Sequence, residues 1–104
     1  MKQKKSNLQT FTNMLYDIDK IYNLDFIDLK IIAFAQKQWD KGDVRVTDFF
    51  MEHVIASPST LHYRVTKHLV DEKIFSIKIN SEDKREKFVV KGKKFNDLLN
   101  KVSL

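Results

Sequence analysis

The sequence predicts a mainly α-helical domain with one small β-hairpin, an α+β architecture, and three observations carry that expectation. Apolar residues recur at helical spacing in several separate stretches of the 104-residue chain. Strand alternation is clear in one place, where Phe75, Ile77 and Ile79 alternate with Ser76, Lys78 and Asn80. Two glycines and one proline are too few for a many-turned all-β fold. From Val46 to Val90 the order is helix, turn, helix, hairpin. That order describes a winged helix-turn-helix, with the helix-turn-helix over residues 47–72, the wing over 75–91, and a helix on either side.

A chain of this length supports one domain with one core. Residues 1–7 are polar and basic and read as a flexible arm; residues 8–104 read as the single winged-helix domain. A hydrophobic fraction of 42% with 32% charged residues is globular. No apolar run approaches the ~18 residues of a membrane span, and Met1–Lys5 leads into no signal-peptide core. With no cysteine there is no disulfide framework and no thiolate metal site. The compartment is most simply the cytoplasm, and no membrane partner is expected.

The elements follow in order. Leu8, Phe11, Leu15, Ile18 and Tyr22 alternate spacings of three and four, an a/d seam over two heptads that Met14 and Ile21 widen. Such a seam serves either the domain's own core or a dimer partner. Asn23 and Leu24 break it. Asp25 can cap the next helix, with Asp28 three residues on. There Ile27, Ile31, Phe34 and Ala35 form the main face and Leu29, Ile32 and Ala33 a second flank, which marks a central support helix closed by Trp39. Asp40–Asp43 is a turn, and Val44-Arg45-Val46 suits a short strand pairing with the wing.

Thr47 then caps the first helix of the helix-turn-helix, TDFFMEHVIA, whose Phe49, Phe50, Val54 and Ile55 supply inward contacts. Ser57 caps the second helix, with Pro58 at its first position. Leu61, Val65 and Leu69 form its apolar stripe. Ser59, Thr60, His62, Tyr63, Arg64 and Lys67 occupy the other faces, as a helix entering a major groove requires. SEDKRE is a polar hairpin turn and KFVVK the return strand. Phe95, Leu98, Leu99 and Val102 stripe a last helix from about Gly92 to Ser103, which Lys93 and Lys94 open.

Asp25 to Gly92 resembles MarR-type winged-helix regulators and the related staphylococcal Sar-type proteins. Asp83-Lys84-Arg85 fits their Asp-x-Arg wing signature, and Ser57-Pro58-Ser59-Thr60-Leu61 is similar to their Ser-x-Ser-Thr-aliphatic helix opening. Three differences stand out. Lys73 replaces a usual glycine before the wing strand. His68 falls where an aliphatic residue is expected, as if the helix were one residue longer. Val90-Lys91-Gly92 shortens the family's Leu-Thr-x-x-Gly. The resemblance implies a homodimer whose terminal helices serve both core and dimer contacts.

Charge points the same way. A net charge of +5 and a pI of about 9.4 favour a polyanionic partner. The expected partner is double-stranded DNA, contacted by Ser57, Ser59, Thr60, His62, Tyr63, Arg64, Lys67, Lys84, Arg85 and Lys87, with Asp83 stabilising the wing. Arg64 is expected along the groove floor, paired with guanine, and Lys67 on a phosphate. The expected dimer interface is Leu8, Phe11, Leu15, Ile18, Tyr22, Phe95, Leu98 and Val102. Whether a small effector binds is open. The alternative is a winged helix used as a protein-interaction adaptor.

No catalytic, metal or cofactor site is expected. His53, His62 and His68 are the three imidazoles, and His62 and His68 are six apart, on different helix faces. His-Glu-x-x-His, glycine-rich phosphate loops and Gly-x-Ser-x-Gly are all absent. Asp17 with Asp19, and Asp71 with Glu72, read as solvated surface acids.

Overall fold

In the computed structural model, residues 7–52 and 54–102 are described. The proposed N-terminal arm (apart from Asn7), His53 and Ser103 lie outside them. Helix α1 (Asn7–Tyr22) ends where its apolar spacing ends. Asn23 takes a left-handed φ of 57°, a conformation asparagine tolerates, and its N–H donates to the Asp19 carbonyl.

Helix α2 (Phe26–Trp39) then begins on a reciprocal capping box. The Asp25 carboxylate accepts the Asp28 N–H at 3.0 Å, and the Asp28 carboxylate accepts the Asp25 N–H at 3.0 Å. Ile31, Ile32 and Ala35 are buried, so α2 is the central support; Ala33, expected on its second flank, faces solvent. Trp39 meets Phe75 and Phe95 edge-on, with ring centroids 5.9 and 5.2 Å apart, and donates its Nε1–H to the Val89 carbonyl at 2.9 Å. One side chain thus ties α2 to the sheet and to the last helix.

The sheet is antiparallel in the order β1-β3-β2, with β1 (Val44–Arg45), β2 (Phe75–Ile79) and β3 (Lys87–Lys91). Val44 and Ile77 both lie opposite Val89, and Val44, Phe75 and Val89 are buried. Val46, expected to extend the strand, instead opens a 3₁₀ helix (Val46–Met51). This helix replaces the longer first helix of the helix-turn-helix. Its cap falls two residues earlier than Thr47: the Arg45 N–H donates to Asp48 Oδ2 at 2.8 Å. Phe49 is fully buried and Phe50 half-buried, and these two successive rings fill the space inward of the helix. The chain then turns away after Met51, leaving Val54 almost fully exposed while Ile55 returns to the core.

Helix α3 spans residues 58–71: a regular start (Pro58–Tyr63), a π-helical turn (Arg64–His68) and a regular end (Leu69–Asp71). Ser57 Oγ accepts the Thr60 N–H at 3.4 Å, and Pro58 sits in the first turn. The wide turn has a reason. Leu61, Val65 and Leu69 are all fully buried at spacings of four, yet eight residues of regular helix overshoot two turns by about 80°. A single π turn, in which the Leu69 N–H donates to the Arg64 carbonyl, keeps all three on one line. It absorbs the extra residue noted at His68.

Beyond α3 the chain closes in a Schellman motif. The Lys73 N–H donates to the Val70 carbonyl, the Ile74 N–H to the Leu69 carbonyl, and Lys73 takes a left-handed φ of 65°. This is the position where MarR-type chains carry glycine. Gly92 lies against the same corner: its N–H donates to the Ile74 carbonyl at 2.8 Å, and a Cβ there would sit 2.3 Å from the Lys73 carbonyl oxygen.

Helix α4 (Phe95–Val102) starts three residues later than the sequence indicates and packs on α1. That packing corrects the dimer expectation in part. Ile18, Phe95 and Leu98 are essentially inaccessible within their own domain, because α1 and α4 pack on each other and Phe95 meets Trp39. No helix among the described residues is long and apolar enough to cross a membrane.

Candidate nucleic-acid interface

With Leu61, Val65 and Leu69 committed inward, α3 has three sides left. The first faces the wing. His62 packs its ring 5.5 Å from that of Phe50, and Thr66 Oγ1 donates to the His62 carbonyl at 2.6 Å. Together with Arg45, Thr47, Arg85 and Lys87 they line an open cleft of about 500 Å³ between α3 and the hairpin. Arg45, Thr47 and Thr66 were missed from sequence. Arg45 was findable in principle, since a strand paired with the wing carries its side chain beside the wing's own cations.

The second side faces the start of α2. Arg64 Nη1 binds Asp25 Oδ1 and, at 3.1 Å, Asp28 Oδ1. Asp28 is 1% exposed and the Arg64 side chain 23%. His68 Nε2 lies 2.8 Å from the Asn23 carbonyl oxygen and 3.3 Å from Asp28 Oδ2. Burial works against the Asp25 carboxylate, but hydrogen bonds from Arg64 and the Asp28 N–H outweigh it and hold its pKa below the usual value. Hydrogen bonding to Asp25 is the largest cause raising the Arg64 guanidinium above its own.

Arg64 is therefore not directed along the outer face of α3, as its helical position suggested. Two carboxylates gathered at one helix start, one of them buried, draw in the nearest cation.

The third, outer side carries Ser59, Tyr63 and Lys67 at spacings of four, all exposed. Lys67 Nζ lies 3.2 Å from Asp71 Oδ2. The Tyr63 ring stacks on the His68 ring, with centroids 6.5 Å apart and planes 17° from parallel. The Ser57 and Thr60 hydroxyls are bonded to each other at 3.0 Å within the cap.

The wing turn is laced by short hydrogen bonds. Asn80 donates twice to Glu86, from its N–H to the carbonyl and from Nδ2 to Oε1, the Glu82 N–H donates to Asn80 Oδ1, and the Glu86 N–H donates to the Asp83 carbonyl. Asp83 Oδ1 accepts both the Arg85 N–H at 3.0 Å and its Nε–H at 3.2 Å, while the Arg85 side chain is 93% exposed. Arg45 Nε lies 3.6 Å from Glu86 Oε2. Lys84 and Lys87 are exposed and have no acidic partner among the described residues. No cluster of metal-ligating side chains occurs among the described residues.

A capped helix set behind a 3₁₀ helix, a central support helix and a three-stranded wing make this a winged helix-turn-helix fold. A transcriptional regulator from Thermotoga maritima has a similar crystal structure, with a TM-score of 0.59 at 17% identity over 91% of this chain. The match covers 66% of the regulator, so the chain spans just under two thirds of its length. At that identity the likeness is one of fold. No family model matches the sequence, and no curated protein matches it.

Proposed function

We propose that the chain is a DNA-binding transcriptional regulator that acts as a homodimer, with α3 in the major groove and the wing in the minor groove. The observation that carries this reading is a cationic wing set across one open cleft from the hydroxyl and aromatic groups of α3. Arg85 projects from the wing, braced by Asp83 and flanked by Lys84 and Lys87, beside the hydroxyl and aromatic groups of α3. A braced arginine at a hairpin tip suits a narrow minor groove, and unpaired lysines suit phosphates. The MarR-type resemblance in the wing and helix opening agrees with it.

The dimer reading rests on α1. Leu8 is 73% and Phe11 41% exposed, with Tyr16 and Ile21 also open. The radius of gyration, 15.5 Å, exceeds the ~13 Å expected for a compact chain of this length. Apolar residues left open in this way find their cover in a second copy. Leu15, Tyr22 and Val102 are half-buried and would form the margin between core and interface.

Gel shifts against random duplex at two salt concentrations test the DNA reading, with duplex selection from a random pool and solution mass measured alongside. Binding that weakens steeply with salt is the expected result. Absence of any salt-dependent binding would move the assignment to a protein-interaction adaptor. Exposed Met51 and Val54, in the segment leading into α3, are the observation favouring that second reading.

A further inference from the structure

We infer that Tyr63 is the principal base-reading side chain of α3, and that Arg64 is a positioning residue that holds it in place through Asp28 and His68. The inference rests on the DNA-binding reading above and deepens it, by assigning which side chain discriminates base pairs.

Tyr63 is 57% exposed at the centre of the outer stripe, one turn from Ser59 and one turn from Lys67. An exposed tyrosine on a helix ordinarily samples several rotamers. This one rests on the His68 ring. His68 is fixed in turn by the Asn23 carbonyl and by Asp28, and Asp28 by the capping box and by Arg64. A continuous set of contacts therefore runs from the α1–α2 junction to the tyrosine ring, and it orients that ring before any ligand arrives. Preorganisation of this kind reduces the ordering cost of binding and sharpens discrimination.

The chemistry fits base reading. The phenol both donates and accepts, so it can address an amino or carbonyl group on a base edge, and the ring can pack on a thymine methyl. Its hydroxyl has no protein partner among the described residues, which leaves it free for a ligand. Arg64, the single arginine of α3, is engaged elsewhere. Pulling its guanidinium toward a base would strand the Asp28 carboxylate in the interior, a loss that a new contact to guanine would first have to offset.

The test starts from duplexes selected by the full-length wild-type chain, then ranks single-base variants of the preferred site. Tyr63→Phe removes only the free hydroxyl. It should reduce preference at one base pair per half-site by about tenfold. His68→Ala, which removes the support beneath the ring, should flatten preference at that same base pair. Arg64→Gln combined with Asp28→Asn replaces the ion pair by an uncharged hydrogen-bonding pair, and it should keep the wild-type ranking. Arg64→Lys retains a cation beside the two carboxylates, covers the case where the double variant folds poorly, and should keep the ranking too. A Tyr63→Phe protein with the full wild-type ranking overturns the assignment. So does loss, in both Arg64 variants, of preference at a base pair that Tyr63→Phe leaves intact, which would return base reading to Arg64. If wild type selects no duplex at all, it is the DNA-binding reading that fails.

Discussion

Replacing Arg64 by alanine should destabilise the protein far more than an exposed recognition residue would. Truncation removes both hydrogen bonds to Asp25 and Asp28 and leaves Asp28, 1% exposed, without its cation. Breaking a buried pair costs about 3–5 kcal/mol. Arg64 is partly solvated and Asp25 about half exposed, and His68 stays within 3.3 Å of Asp28, so about 2–3 kcal/mol is the reasonable expectation here. For a domain of this size that lowers Tm by roughly 10–20 °C. Lys67→Ala supplies the contrast on the same helix: its pair with Asp71 is exposed on both sides, and its loss should cost under about 0.5 kcal/mol. Thermal melts followed by circular dichroism, at one fixed protein concentration, separate the two. Acid titration adds a second readout. The Asp25 pKa is depressed in the folded state, so its contribution is complete above the unfolded value and is lost as pH falls through the lower folded one. Below about pH 4 the stability gap between wild type and Arg64→Ala should therefore narrow. An Arg64→Ala protein melting within about 2 °C of wild type would falsify the claim that this arginine is a structural clamp.

Three further outcomes are expected. Arg85→Ala should weaken binding to specific and random duplex alike, with Asp83→Ala acting more mildly by loosening the arginine it braces; equal gel-shift affinity for wild type and Arg85→Ala at moderate salt would show that the wing does not touch DNA. Lys73→Gly relieves a left-handed φ of 65° in a non-glycine residue, and after the added chain entropy of glycine it should stabilise the fold by about 0.5–1 kcal/mol. A lowered Tm in that variant would mean the Lys73 side chain makes a contribution the backbone does not account for. Leu8→Glu with Phe11→Glu alters exposed positions only, so it should give a folded monomer by sedimentation with weaker duplex binding; dimers persisting in that variant would place the interface elsewhere.

What the sequence determined by itself is local. The capping box of Asp25 and Asp28, the Ser57-Pro58 start of α3 and the alternation of β2 were all readable, because each depends on groups within about four residues of one another. Even the extra residue at His68 was visible as a displaced apolar spacing, although its resolution into a π turn was not. That outcome needed Leu61, Val65 and Leu69 to compete for one buried line. The destination of Arg64 was invisible for a different reason. Its partners lie 36 and 39 residues away, and on a helical wheel a clamp and a base reader occupy the same position. The dimer seam divided for the same reason. Leu8 and Ile18 share one periodic stripe, but α4 packs on α1 and Ile18 is buried while Leu8 stays exposed. Periodicity reports that a face is apolar; which neighbour covers it is decided by the packing of distant segments, and the most exposed stretch of that face, from Leu8 to Phe11, is what the fold leaves uncovered.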